Sequence, residues 1–116
     1  MASEIEDGIR EALNELASAL GKEAISAVVS VYEENSATQV RQMEEAVIYA
    51  DIERLRREAH SLKSSSANLG AHGLAEVCLK IEKAQSFDPS IASLVGDCKR
   101  LQGEAVVSMR KWRDEP

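Results

Sequence analysis

Aromatic side chains are scarce in this chain: one Trp, two Tyr and one Phe make up 3% of its 116 residues. A core must therefore be built from Leu, Ile, Val and Ala, and a hydrophobic fraction of 44% supplies one of ordinary size. Proline and glycine are few, at two and six, which excludes collagen-like and turn-dense β architectures and favours long helices. No apolar run approaches the ~20 residues that span a bilayer, so no membrane helix is expected. The opening residues Met1, Ala2, Ser3 and Glu4 are polar and acidic, and no secretory signal is read there. Cys78 and Cys98 lack Cys-x-x-Cys spacing and read as buried reduced thiols of a cytoplasmic protein, with a disulfide or metal site as the weaker alternative. Basic residues are in deficit too. Lys plus Arg number 14 against 20 Asp plus Glu, a formal charge of −6. Nucleic acid demands a basic surface and is not expected as a partner. The length fits one domain over residues 1–116, expected as a monomer.

What the chain does have is helical periodicity almost throughout. Ile5, Ile9, Leu13, Leu16 and Leu20 form a first stripe, ended by Gly21. Ile25, Val28, Val29, Tyr32, Val40, Met43 and Val47 form a second. Asp51 caps a third helix, on which Ile52, Leu55, Ala59, Leu62, Ser66 and Leu69 line one face before Gly70 stops it. Leu74, Val77, Cys78, Ile81 and Ala84 give a fourth stripe. Asp88-Pro89 is a cap followed by a first-turn proline. It opens a fifth helix carrying Ile91, Leu94, Val95, Cys98, Leu101, Ala105, Met109 and Trp112. Gly96 and Gly103 fall inside that helix at about 1 kcal/mol each, so a local bend or break is expected. No period-two run reads as a strand. The sum is an all-α fold: an antiparallel four-helix bundle with an additional N-terminal helix packed against it or over one end.

On the third helix, Ala59 and Leu62 face the core, and His60 is rotated about 100° from Ala59, toward solvent. Lys63 and Ser64 lie one turn further on, Arg56 and Arg57 one turn back, and Ala67 a turn beyond Ser64. Near neutral pH much of an ordinary histidine is uncharged, and its free lone pair can attack phosphorus. Flanking cations can meet phosphoryl oxygens, and small neighbours leave room for a partner's active site. On geometry alone, a solvated surface histidine fits the same pattern. His72 reads as a surface or capping residue at the start of the fourth helix. With Glu76 it makes the only histidine–carboxylate pair at helical spacing, too few ligands for a metal, and no cofactor is expected.

The string Ala59-His60-Ser61-Leu62-Lys63-Ser64-Ser65-Ser66-Ala67-Asn68-Leu69-Gly70-Ala71 resembles the signature of histidine phosphotransfer (HPt) domains. That signature runs His, any residue, Leu, Lys, Gly, two residues of Ser or Ala, three variable residues, then Gly-Ala. Leu74-Ala75, Cys78 and Ile81-Glu82 continue the family's next helix in register. The resemblance implies that His60 is the phosphoacceptor, at Nε2, and that Lys63 neutralises phosphoryl charge. It implies that Glu82, where the family often has Gln or Glu, accepts Nδ1–H and fixes the ring's tautomer. Arg56, Arg57, Ser64 and Ala67 would form the surrounding binding surface.

The implied function is that of a phosphorelay intermediate, not an enzyme. It takes a phosphoryl group from a receiver-domain phospho-aspartate and passes it to another receiver. The implied partners are response-regulator receiver domains and a hybrid sensor histidine kinase, with Mg²⁺ and most catalytic groups on the receiver. Ser64 stands where the family commonly has Gly; its hydroxyl is read as able to bond a phosphoryl oxygen, with slower transfer or narrower partner choice as the consequence. Ser66, on the buried side, is expected to bond back to the Leu62 carbonyl. Two other readings stay open: a non-phosphorylated adaptor of the same shape that binds a receiver, and the phosphoacceptor module of a larger hybrid kinase. A kinase in its own right is not expected, because the chain lacks a Gly-rich nucleotide-binding segment.

Overall fold

Five helices follow one another in the computed structural model, which describes residues 4–116: α1 (Glu4–Leu20), α2 (Lys22–Ile48), α3 (Ile52–Asn68), α4 (His72–Glu82) and α5 (Pro89–Asp114). The reading made on Met1, Ala2 and Ser3 lies outside the described residues. No strand occurs among the described residues, and no helix there is long and apolar enough to cross a membrane.

The helix ends follow local chemistry. Asp51 Oδ1 accepts the Arg54 N–H at 3.1 Å and starts α3. Asp88 Oδ1 accepts the Ser90 N–H at 2.8 Å, with Pro89 opening α5. A side-chain and a backbone donor from Ser90 hold the Asp88 carboxyl below its ordinary value. Gly21, at φ +92°, makes the one-residue joint between α1 and α2.

Helices α2 to α5 form the bundle, each giving a sealed stripe. Val29 and Met43 come from α2, Leu55 and Leu62 from α3, Cys78 and Ile81 from α4, and Cys98 and Met109 from α5, all at 1% exposure or less. The first helix adds Ile9 and Leu13, both fully buried. It packs on α5, α2 and α4 across the end of the bundle where α3 turns into α4. There Gly70 takes φ +84°, a left-handed conformation that side chains resist. A Cβ on Gly70 would stand 2.8 Å from the Ala12 Cβ, and one on Gly8 would stand 3.0 Å from the Gly70 carbonyl oxygen. Gly70 therefore does more than stop α3: it lets α1 lie directly on the turn. Polar bonds fasten the same end. Trp112 Nε1 donates to Asn14 Oδ1 at 2.9 Å, Arg10 Nη1 donates to Glu115 at 2.9 Å, and Lys22 Nζ donates to the Trp112 carbonyl at 2.9 Å.

Three expectations need correction. Leu20 is 65% exposed, and its neighbours Ser18 and Ala19 are exposed too, so the last residues of α1 have no covering neighbour. Val28 is 44% exposed; it sits beside Val31 on the outer flank of α2, where no helix covers it. The fifth helix runs unbroken through Gly96 and Gly103. Its propensity loss is outweighed by seven buried residues, from Ile91 to Trp112. Cys78 and Cys98 are free, fully buried thiols with sulfurs 3.7 Å apart. Their mutual contact, then burial, pushes the Cys98 thiol up, which keeps it protonated.

Candidate functional site

His60 stands on the outer flank of α3 with 61% of its side chain exposed. Its backbone position is fixed from below, because Ala59 and Leu62 on either side are sealed in the core. Across the groove, the last residue of α4 supplies Glu82. Glu82 Oε2 lies 2.5 Å from His60 Nδ1, and Glu82 Oε1 accepts a hydrogen bond from Lys63 Nζ. One carboxylate thus bridges the ring and the ammonium. The Lys63 ammonium, and after it the His60 ring, hold the Glu82 carboxyl below the ordinary carboxylate value. An ionised carboxylate can only accept, so Nδ1 must carry the proton it shares with Glu82. In the neutral ring the lone pair then sits on Nε2, for which no partner occurs among the described residues.

This arrangement, an open Nε2 on an oriented ring beside a cation, stands on a helical bundle with the corresponding sequence string. A family model described as the Hpt domain matches residues 27–105. The chain belongs to the Hpt family. A crystal structure of histidine-containing phosphotransfer protein B (HptB) from Pseudomonas aeruginosa PAO1 is similar, with a TM-score of 0.83. The likeness covers 89% of this chain and 90% of that one at 22% identity, and it shows a shared fold. No curated protein sequence matches. Hpt proteins act in phosphorelays as phosphoryl carriers rather than as enzymes, and they interact with receiver domains and kinases.

Within the Hpt bundle, the other singled-out residues divide. Arg57 and Ala67 are exposed on the His60 side of α3, and Arg57 has no ion-pair partner among the described residues. Arg56 is not a free cation beside the ring. Its Nε donates to the Ala84 carbonyl at 2.6 Å, and its Nη2 donates to the same oxygen. Ser64 is exposed, but its hydroxyl turns back to the His60 carbonyl at 3.2 Å instead of pointing outward for a ligand. Ser66 does not bond back to Leu62. Its Oγ pairs with the Tyr32 hydroxyl at 2.8 Å inside the bundle, a shorter and better-placed partner than its own helix offers. Burial, only partly offset by that bond, pushes the Tyr32 hydroxyl up to about 12.

His72 is exposed at the start of α4 and lines a cavity with Glu4 and Glu76, at the α1 end of the Hpt bundle. No group of three or more metal-ligating side chains occurs among the described residues. Sequence reasoning missed the Arg56–Ala84 clasp, whose acceptor is a backbone oxygen with no sequence signal. It also missed the Tyr32–Ser66 pair. Tyr32 falls on the buried stripe of α2, and that phenol's need for a partner was the available clue.

Proposed function

We propose that His60 is the phosphoacceptor, taking a phosphoryl group at Nε2 from a receiver domain's phospho-aspartate and delivering it to the aspartate of another receiver. The observation that carries this reading is the division of labour on one ring: Nδ1 bonded to Glu82, Nε2 open on a side chain 61% exposed. In the forward step the Nε2 lone pair forms the N–P bond in line as the acyl-phosphate P–O bond breaks. The departing electron pair returns to the aspartate carboxylate. The reverse sequence loads the next receiver. The phosphorylated ring gains positive character, which Nδ1–H shares with the Glu82 carboxylate. Lys63 uses one of its three donors on Glu82 and keeps others for phosphoryl oxygens. Mg²⁺ and the acidic groups that bind it are the receiver's contribution.

Arg57 and Ala67 provide charge and open space beside the ring in this scheme. Exposed Val28 and Val31 on α2 offer apolar area for docking, and the groove they border continues to Ser65 and Asn68 on α3. The chain acts as one domain over residues 1–116, as a cytoplasmic monomer that receives phosphoryl groups within a relay begun by a hybrid sensor kinase.

The test is incubation with a panel of phosphorylated receivers and Mg²⁺, followed by mapping of acid-labile phosphate. Wild type is expected to label and His60→Gln to remain unlabelled while staying helical. Acid-labile phosphate on His60→Gln overturns the assignment. A wild type that binds receivers but never labels marks an adaptor, and labelling by ATP alone marks a kinase.

A further inference from the structure

We infer that Arg56 is a positioning residue for His60: by clasping the Ala84 carbonyl at the C-terminal end of α4, it fixes the helix end that carries Glu82 to the ring. This concerns the same site and rests on the phosphoacceptor reading only for its effect on transfer.

The last carbonyls of any helix lack intrahelical partners, and its final turn frays unless something holds it. The fourth helix is short, 11 residues, and Glu82 is its last. No glycine cap closes it. The Lys83 N–H returns to the Leu79 carbonyl at 3.1 Å and the Ala84 N–H to Ile81 at 3.0 Å, after which the chain runs through exposed Gln85 and Ser86. Burial anchors the inner face through Leu74, Cys78 and Ile81, and beyond the helix Ala84 and Phe87 pack only partly against the core. Glu82 is off that face, so apolar packing does not dictate where its carboxylate stands.

Arg56 adds a directed polar hold to this end. It lies one turn before His60 on α3, and both its Nε and Nη2 point at one carbonyl oxygen two residues past Glu82. The cross-helix contacts run in order: Arg56 to Ala84, His60 to Glu82, Lys63 to Glu82. The clasp and the ring are therefore carried by one rigid helix, and Arg56 sets the height of the α4 end relative to His60. Arg56 has no carboxylate partner among the described residues, so its side chain is committed to this backbone oxygen. A planar guanidinium directs two donors at once, which an ammonium does not.

The experiment records ¹⁵N shifts of the His60 ring in the full, unphosphorylated chain, at a pH where the ring is neutral. Wild type is expected to hold one tautomer, protonated at Nδ1. Arg56→Gln is expected to mix the two tautomers, and Arg56→Lys to fall between. Transfer from a phosphorylated receiver should slow about tenfold in Arg56→Gln with KM for the receiver unchanged. On a Glu82→Gln background that loss should vanish, because the arginine acts through the carboxylate. A single tautomer retained in Arg56→Gln overturns the inference. So does a loss that adds fully to that of Glu82→Gln, or one carried by KM and erased by salt, since the arginine then meets the partner directly. If Arg56→Gln loses its helical circular dichroism, Arg56→Lys carries the test: partial mixing upholds the role and a wild-type spectrum overturns it. The tautomer readout involves no phosphoryl group, so it stands even if His60 proves not to be the acceptor.

Discussion

Along α3, Leu55, Ala59, Leu62 and Ser66 are sealed completely, whereas His60, Ser61, Ser64 and Ala67 stand in solvent. The same residue type serves both flanks. Ser66 spends its hydroxyl on Tyr32 inside the bundle, and Ser64, two residues earlier, folds its hydroxyl back on its own helix. The inner flank holds the helix still, and the outer flank uses that stillness to present a ring. On the proposed function, stability and chemistry fall to different residues of one helix, and substitutions should separate them.

The largest stability effect is expected from the inner flank. Leu62→Ala should lower the unfolding free energy by about 3 kcal/mol in urea titrations, through lost burial and the cavity left behind. Transfer per folded molecule should hardly change; a collapse of transfer in fully folded protein would break the division between flanks. On the outer flank, Lys63→Ala should slow transfer about tenfold, through lost charge stabilisation of the phosphoryl oxygens. Its urea midpoint should fall only slightly, by the loss of one partly exposed ion pair, and an unchanged rate would remove Lys63 from the chemistry. Tyr32→Phe should cost about 1–2 kcal/mol, because it leaves the Ser66 hydroxyl buried without a partner. Transfer should be unaffected.

Two titrations sharpen the contrast further. Tyr32 is an acid whose folded value is raised from 10.0 to about 12. Its contribution to stability is thus complete below pH 10.0 and is lost as the pH rises from there. Tyrosinate absorbance should show one of the two tyrosines ionising late. Glu82 runs the other way. Its carboxyl is held below the ordinary 4.5, first by Lys63. The bridge is therefore complete above pH 4.5 and is lost as the pH falls through its lower folded value. The Glu82 side-chain ¹³C shift, followed from pH 7 to pH 2, should move at a lower pH in wild type than in Lys63→Ala.

Much of this was legible in the residue order. All five helices, the Asp51 and Asp88 caps and the exposed His60 follow from 3.6-residue periodicity and cap chemistry. Lys63 and Glu82 were picked out by their match to a known string, and the structure brings both to His60. Periodicity overcounted the core at Leu20 and Val28, because it reports which face of a helix is apolar and not how far a neighbour extends over it. The glycines of α5 misled for a related reason: intrinsic propensity is weak beside the packing of a 26-residue helix. The role of Arg56 was out of reach because its partner is a backbone carbonyl chosen by how helices pack, and for Ser66 the sequence offered only the need of a buried Tyr32 for some partner, not which one.

The crossing of α1 over Gly70 has a mechanical consequence. Side chains that collide can rotate away; a carbonyl pressed on a glycine Cα has no such freedom. The junction acts as a hard stop, setting how near the first helix can come to the α3–α4 turn. About three turns of stiff helix separate that stop from His60. On the proposed function, they form an arm braced at its far end, against which a receiver docking on the imidazole would press.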